Sequence, residues 1–200
     1  MNLHIELHYL PCIAYLNALQ EAEKVVLEAH ESYQKGSYRN RTQILGSNGN
    51  LRLSVPLLQG KNQQQAIKSV KIDHTTTWQR QHFRALRAAY SSAPFWEHYV
   101  DKLAVHFEQK HLFLWDWNTE TLALLLDFLK LKTRIETSTD FVATDYLGIN
   151  TLDLRQKITP KTANLPPTPP YPQVFGYKFE FSSNLSGIDA LMNIGRLPTF

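Results

Sequence analysis

The chain predicts an α/β fold: a small open, mainly parallel sheet flanked by helices, with a helical C-terminal half and a proline-rich arm. Three observations carry that expectation. Strand, helix and strand patterns follow one another within the first thirty residues, which suggests a β-loop-α-β unit and a parallel pair joined by a right-handed crossover. Helical stripes then recur between residues 76 and 132. Six of the ten prolines fall between Pro160 and Pro172. On this reading residues 1–157 form an α/β domain with a helical region, 158–173 the arm, and 174–200 a segment packing back on the domain.

Residues 3–7 alternate as L-H-I-E-L, the period of a half-buried strand, and Pro11 stops it. From Ile13, Leu16 and Leu19 recur on one helical face, ending near Lys24, and Val25-Val26-Leu27 reads as a short buried strand. Asn48-Gly49 is a turn signal, and L-R-L-S-V behind it predicts a strand over 51–55. Residues 60–65 read as a polar connection, and Ile67, Val70 and Ile72 suggest a strand ending in Asp73. Between residues 76 and 90, Trp78, His82, Leu86 and Ala89 or Tyr90 share a helical face. Pro94 ends that helix by pushing Ala93 out of the helical region. A second helix, 95–109, should bury Trp96, Tyr99, Leu103 and Phe107, and Asn118 is expected to cap a third, striped with Leu122, Leu125, Leu126 and Leu129. Residues 133–137 suggest a short strand, and 140–150 fit no single pattern. The proline run reads as an extended spacer strapped across the surface. Ser186 should cap a last helix with Ile188, Leu191 and Met192 on its inner face, ended by Gly195.

Composition excludes several classes. A 200-residue chain with 43% hydrophobic content can bury one good core. Its net charge of +3 is too weak a field to argue for nucleic acid. The lone Cys12 excludes an internal disulfide and fits a reducing compartment, so the cytoplasm is expected. The start of the chain lacks a basic region followed by an apolar run, so no signal peptide is expected. The most apolar segment, 121–131, is broken by Asp127 and Lys130 and is shorter than the ~20 residues a bilayer core requires. Neither HExxH, paired CxxC, calcium-loop spacing, Walker loop nor GxGxxG occurs, so neither metal nor cofactor is expected. Nothing in the pattern sets an oligomeric state.

Candidate chemistry concentrates in residues 28–41, E-A-H-E-S-Y-Q-K-G-S-Y-R-N-R, just past the second strand. Ligands of open α/β sheets bind outside the carboxyl ends of the strands, where such a loop would lie; a solvated polar loop is the plain alternative. Lys35, Arg39 and Arg41 suit a phosphate or carboxylate, with Asn40 to orient it. His30, or His8 at the end of the first strand, would serve as general base. His30 and Glu31 are adjacent, so in an extended loop they point to opposite sides and do not pair directly. His82 lies between Trp78 and Leu86 on an apolar face and reads as a packing histidine, and Cys12 as a small buried residue.

With H-Y-L-P, H-E-S-Y-Q-K-G-S-Y-R-N-R, I-K-S-V-K-I-D-H-T-T-T-W-Q-R-Q-H, A-Y-S-S-A-P-F-W-E-H-Y, Y-P-Q-V-F and N-L-S-G-I-D-A-L-M-N-I-G in place, the chain resembles the WbqC-like protein family in its Bacteroidetes form. These blocks cover most of the chain. The resemblance implies a link to O-antigen or other surface-polysaccharide synthesis, with transfer of an amino acid such as glycine onto an amino sugar. It also implies that His30, Glu31, Tyr33, Lys35, Tyr38, Arg39, Asn40 and Arg41 matter, together with Trp78, His82, Asn184, Ser186, Asp189 and Asn193. Ser183, Gly187 and Arg196 depart from the family pattern and bear on the geometry of the last helix.

Residues and resemblance together lead to a transferase acting on a phosphate-bearing small molecule, with aminoacyl or acyl transfer to a nucleotide-linked amino sugar as the candidate reaction. Two alternatives stay open: a non-catalytic binding or assembly protein of envelope synthesis, and a degenerate nucleotidyltransferase-like protein suggested by H-Y-L-P before a helix.

Overall fold

Strand β1, Asn2–Glu6, runs parallel to β2, Lys24–Glu28, with helix α1, Ile13–Glu21, as the connection between them. The structure, a computed structural model, describes residues 1–58 and 65–198, without the side chain of Tyr146. Most of the polar connection expected over 60–65 therefore lies outside the described residues. Two short strands complete a four-stranded, wholly parallel sheet in the order β5-β2-β1-β6: β5, Arg134–Thr137, and β6, Thr151–Asp153. The chain moves outward from β1 to β2 to β5, then returns to β6 on the opposite flank of β1. The carboxyl ends of β1 and β6 thus border the point where strand order reverses, the usual crevice of an open α/β sheet.

A second, two-stranded sheet lies apart, a hairpin of β3, Arg41–Gly46, and β4, Gly49–Ser54. The expected 51–55 strand is thus present and paired with a neighbour whose pattern, R-T-Q-I-L-G, alternates weakly. Its inward positions include Thr42, whose hydroxyl donates to the Leu10 carbonyl at 2.8 Å.

Helices α2, Trp78–Tyr90, and α3, Trp96–Glu108, fall where the stripes place them and pack on each other. Two expectations are corrected. The segment around Ile67, Val70 and Ile72 forms one 3-10 turn, Ile67–Ser69, followed by isolated bridges from Lys71 and Ile72 rather than a strand. Helix α4, Leu114–Phe128, starts a full turn before Asn118, because the buried Leu114, Trp115 and Trp117 extend the apolar stripe toward its start. Asn118 is consequently inside the helix, and its Nδ2 donates to the Arg39 carbonyl at 2.7 Å.

The last helix, α5, Gly187–Ile194, is capped by Ser186, whose Oγ accepts from the Ile188 N–H, and is ended by Gly195 in the left-handed region at φ 69°. Ile188, Ala190, Leu191 and Met192 have no exposed surface, so α5 is part of the core. Gly187 explains its close seat: a Cβ there would collide with Leu16 of α1. The proline-rich stretch, part of it in turns, is tied to the turn before α5. Asn184 accepts from Thr168 Oγ1 at 3.1 Å and donates to the Pro166 carbonyl at 3.2 Å.

Candidate functional site

In a parallel sheet all carboxyl ends share one edge, and alternation puts His4, Glu6 and Glu28 on one face of it, with Asp153 beside His4. That face is polar and sealed: Glu6, Glu28 and His8 have no exposed surface, and His4 is 3% exposed. Two guanidiniums hold the charges. Arg39, from the loop after β2, is also fully buried and grips Glu31 through Nε at 2.6 Å and Nη2 at 2.5 Å, while its Nη1 lies 3.7 Å from Glu6. Arg155, just past β6, forks onto Asp153 at 3.0 and 2.8 Å and donates from Nη1 to Glu28 at 2.8 Å. Fork-to-carboxylate pairing is the strong form of this interaction.

Neutral donors complete the network. Glu28 accepts from the Ser138 hydroxyl and the His30 backbone N–H, both at 2.9 Å. Glu6 accepts from the Gln156 N–H at 2.9 Å and lies 3.1 Å from His8 Nε2. Burial pushes the Glu6 carboxyl up, but His8, Arg39 and the Gln156 N–H more than offset it, so the group sits below its ordinary range. Burial dominates at His8 and lowers it despite Glu6. Asp153 is drawn well below the usual carboxylate range, its partial burial overcome by Arg155 and Thr144. Gln156 has a positive φ of 60°, which places its N–H on Glu6 at a conformational cost that functional sites tend to carry.

A hollow of about 160 Å³ opens above Arg39, between the turn at residues 34–37 and residues 156–161. Lys35 and Lys161, both exposed, line it with Arg39 and Gln156. Gly36, at φ 83°, gives the turn its left-handed step.

The candidate residues separate into three groups. Lys35 and Arg39 reach the hollow, and Glu31 stands behind Arg39. Asn40 turns inward, accepting from Tyr33 at 3.0 Å and donating to the Val55 carbonyl at 2.9 Å, and Tyr38 is buried against the His8 ring. Arg41 opens β3 and does not line the hollow. His8 is sealed; His30 is exposed, with Nε2 3.2 Å from the Ser138 carbonyl. A carbonyl only accepts, so Nε2 carries the proton and Nδ1 keeps the basic lone pair. His82 is buried with Nδ1 2.7 Å from the Tyr9 hydroxyl, and burial lowers it to about 4. Asn184, Ser186 and Asp189 gather around α5 instead, where Asp189 accepts from Tyr90 at 2.8 Å, Tyr171 at 2.6 Å and Gln173 at 3.0 Å.

Sequence reasoning missed Glu6, Glu28, Asp153, Arg155, Gln156 and Lys161 as parts of one arrangement. A signal existed in H-I-E-L-H, where ionisable groups repeat at period two inside a strand that must be buried. Arg155 had none, because a three-residue strand leaves no pattern.

A model of the WbqC-like protein family matches residues 7–162. The chain belongs to that family. It is also similar to Uncharacterized protein Rv1507c of Mycobacterium tuberculosis (strain ATCC 25618 / H37Rv), 28% identical over 142 residues. The match covers 70% of this chain and 61% of that protein, so the chain spans less than two thirds of its relative's length. No solved structure matches. In this WbqC-like chain the matched residues contain Arg39, Arg155 and every residue lining the hollow, whereas α5 lies beyond them. Among the described residues, no cluster of three or more His, Cys, Asp or Glu is placed to hold a metal ion, and no helix is long and apolar enough to cross a membrane.

Proposed function

We propose that the hollow above Arg39 binds the phosphate-bearing part of a small-molecule substrate, and that the protein transfers an aminoacyl or acyl group to a nucleotide-linked amino sugar. The observation that supports this most is one buried and fully engaged guanidinium under two exposed lysines, Lys35 and Lys161, at the carboxyl edge of a parallel sheet. Arg39 is held by Glu31 and has no exposed surface, so it forms the fixed floor of the hollow, and direct contact with an anion falls to Lys35 and Lys161. Family membership supports the reading at the level of the family alone.

Of the two imidazoles, only His30 can meet a substrate. In the proposed step, His30 Nδ1 takes a proton from the acceptor ammonium. The freed amine nitrogen then bonds to the acyl carbon, the bond from that carbon to its carrier breaks with the electron pair leaving on the carrier, and the nitrogen's second proton passes to the departing carrier. A panel of nucleotide sugars and acyl donors followed by thermal shift tests the binding half. At least one should raise the melting temperature, and Lys35→Ala with Lys161→Ala should weaken it by about ten-fold or more, the scale of a lost charged hydrogen bond. No shift from any member of the panel overturns the reading.

A second reading, a binding or assembly protein, is favoured by one observation: Glu6, Glu28 and His8 are wholly enclosed, leaving little exposed acid-base chemistry at the edge. Mass spectrometry on mixtures of the binding donors and acceptors separates the two. Transferred product that disappears in His30→Gln supports the transferase; tight binding without product supports the alternative.

A further inference from the structure

A cleft of about 430 Å³ opens between the start of α2 and the end of α3, within the size range of small-molecule sites, and it shares no lining residue with the hollow above Arg39. Its shape follows from the sequence. On α2, Arg80 and Phe83 stand one turn apart; on α3, Ala104, Phe107 and Glu108 do the same, so each set occupies one helical face. Ala104 is the small member, and its methyl group leaves space that a longer side chain would fill. Phe83 is half-buried and Phe107 buried, with ring centroids 6.1 Å apart, so the cleft has an aromatic wall.

Arg80 and Lys110 stand exposed at its rim. Among the described residues neither lies within ion-pair distance of a carboxylate, and Glu108 is the one acid lining the cleft. Two unpaired cations against one acid leave a net positive field beside the half-buried Phe83 ring. Gln79 is occupied, donating to the Phe107 and Gln109 carbonyls, which fixes the end of α3 against α2 and keeps the cleft walls in place.

We propose that this cleft binds an organic phosphate with a flat ring, the ring lying against the half-buried Phe83, which Phe107 backs, and the phosphate held by Arg80 and Lys110. Cation and ring face together select that chemistry: guanidinium and ammonium match phosphate, and aromatic side chains stack on flat rings with little loss of freedom.

Adenosine monophosphate, with inorganic phosphate and adenosine as partial probes, tests it by isothermal titration calorimetry on the whole chain. Arg80→Ala and Lys110→Ala should each weaken adenosine monophosphate by about ten-fold, as expected for loss of a charge-assisted contact. Ala104→Leu, which fills the cleft and leaves both cations in place, should abolish binding while its urea unfolding curve stays with the wild type. Lys132→Ala, at an exposed lysine lining neither cavity, should leave the affinity unchanged. The proposal falls if the wild type does not bind adenosine monophosphate, if Ala104→Leu binds it normally, or if affinity is lost in Lys132→Ala and kept in Arg80→Ala. Equal affinities for inorganic phosphate and adenosine monophosphate also overturn it, since the ring would then contribute nothing.

Discussion

Glu6 and Glu28 stand side by side in register on β1 and β2, neither with exposed surface, and each is answered by an arginine from across the pair. Arg39, from the loop behind β2, comes to Glu6 on β1; Arg155, from behind β6 on the far flank, donates to Glu28 on β2. Adjacent buried carboxylates repel, and each uncompensated charge costs several kcal/mol, of order 3 to 5 when a buried pair is broken. The two guanidiniums therefore act as crossed braces over the sheet edge, and one of the two, Arg39, also lines the hollow.

Arg155→Ala should destabilise the protein by about 3 kcal/mol or more, because it strands both Asp153 and Glu28. Arg155→Lys should recover only part of that loss, since one ammonium cannot fork onto Asp153 and reach Glu28 together. Urea unfolding at neutral pH measures both; a wild-type midpoint for Arg155→Ala would show that the brace carries no stability.

Gly187→Ala should cost about 1 to 3 kcal/mol through overpacking against Leu16. Leu16→Ala in the same chain should relieve the collision, so the double variant should be more stable than the sum of the two single losses. Strict additivity in a thermal denaturation cycle would contradict this contact.

Asp189→Ala should cost about 2 to 4 kcal/mol, because it leaves the buried Tyr90 and Tyr171 hydroxyls without their acceptor. It should also loosen the proline-rich stretch, since Tyr171 lies at its end. Limited proteolysis should then cut near residues 160–172 faster than in the wild type; identical digestion patterns would mean that Asp189 does not hold the stretch.

Burial lowers His82 and His106 from 6.5 to about 4. Between those values the unfolded chain binds more protons than the folded one, so the stability these neutral imidazoles contribute is complete above 6.5 and is lost as pH falls toward about 4. The slope is at most about 1.4 kcal/mol per pH unit for each imidazole. Urea midpoints taken from pH 7 to pH 4.5 should drop accordingly, and His106→Gln should flatten the curve. Equal slopes in wild type and variant would remove His106 from the account.

Periodic segments with large apolar residues could be read from the chain alone, because burial imposes its own spacing. Trp78, Leu86 and Tyr90 mark α2, Trp96, Leu103 and Phe107 mark α3, and Leu3 and Ile5 mark β1. The short edge strands were less legible: β6 has three residues and is held by pairing with β1, a long-range relation that leaves no local trace. Asn118 misled for a related reason. Its residue type suits a helix start, yet its side chain is committed to a carbonyl 79 positions away. At the candidate site, the loop at 28–41 showed where polar groups accumulate but not how they divide. Lys35 stands exposed at the hollow, whereas Arg39 turns onto the buried Glu31 and Asn40 and Tyr38 turn into the core, a division that residue types alone do not encode.

The family match stops at residue 162, while α5 spans Gly187–Ile194 and its Ile188, Ala190, Leu191 and Met192 touch no solvent. A fragment trimmed to the matched region would therefore carry an open greasy trough beside α1 and α2, and in the test tube it should clump rather than fold. Anyone producing this protein in pieces should treat the far end as a keystone, not a tail.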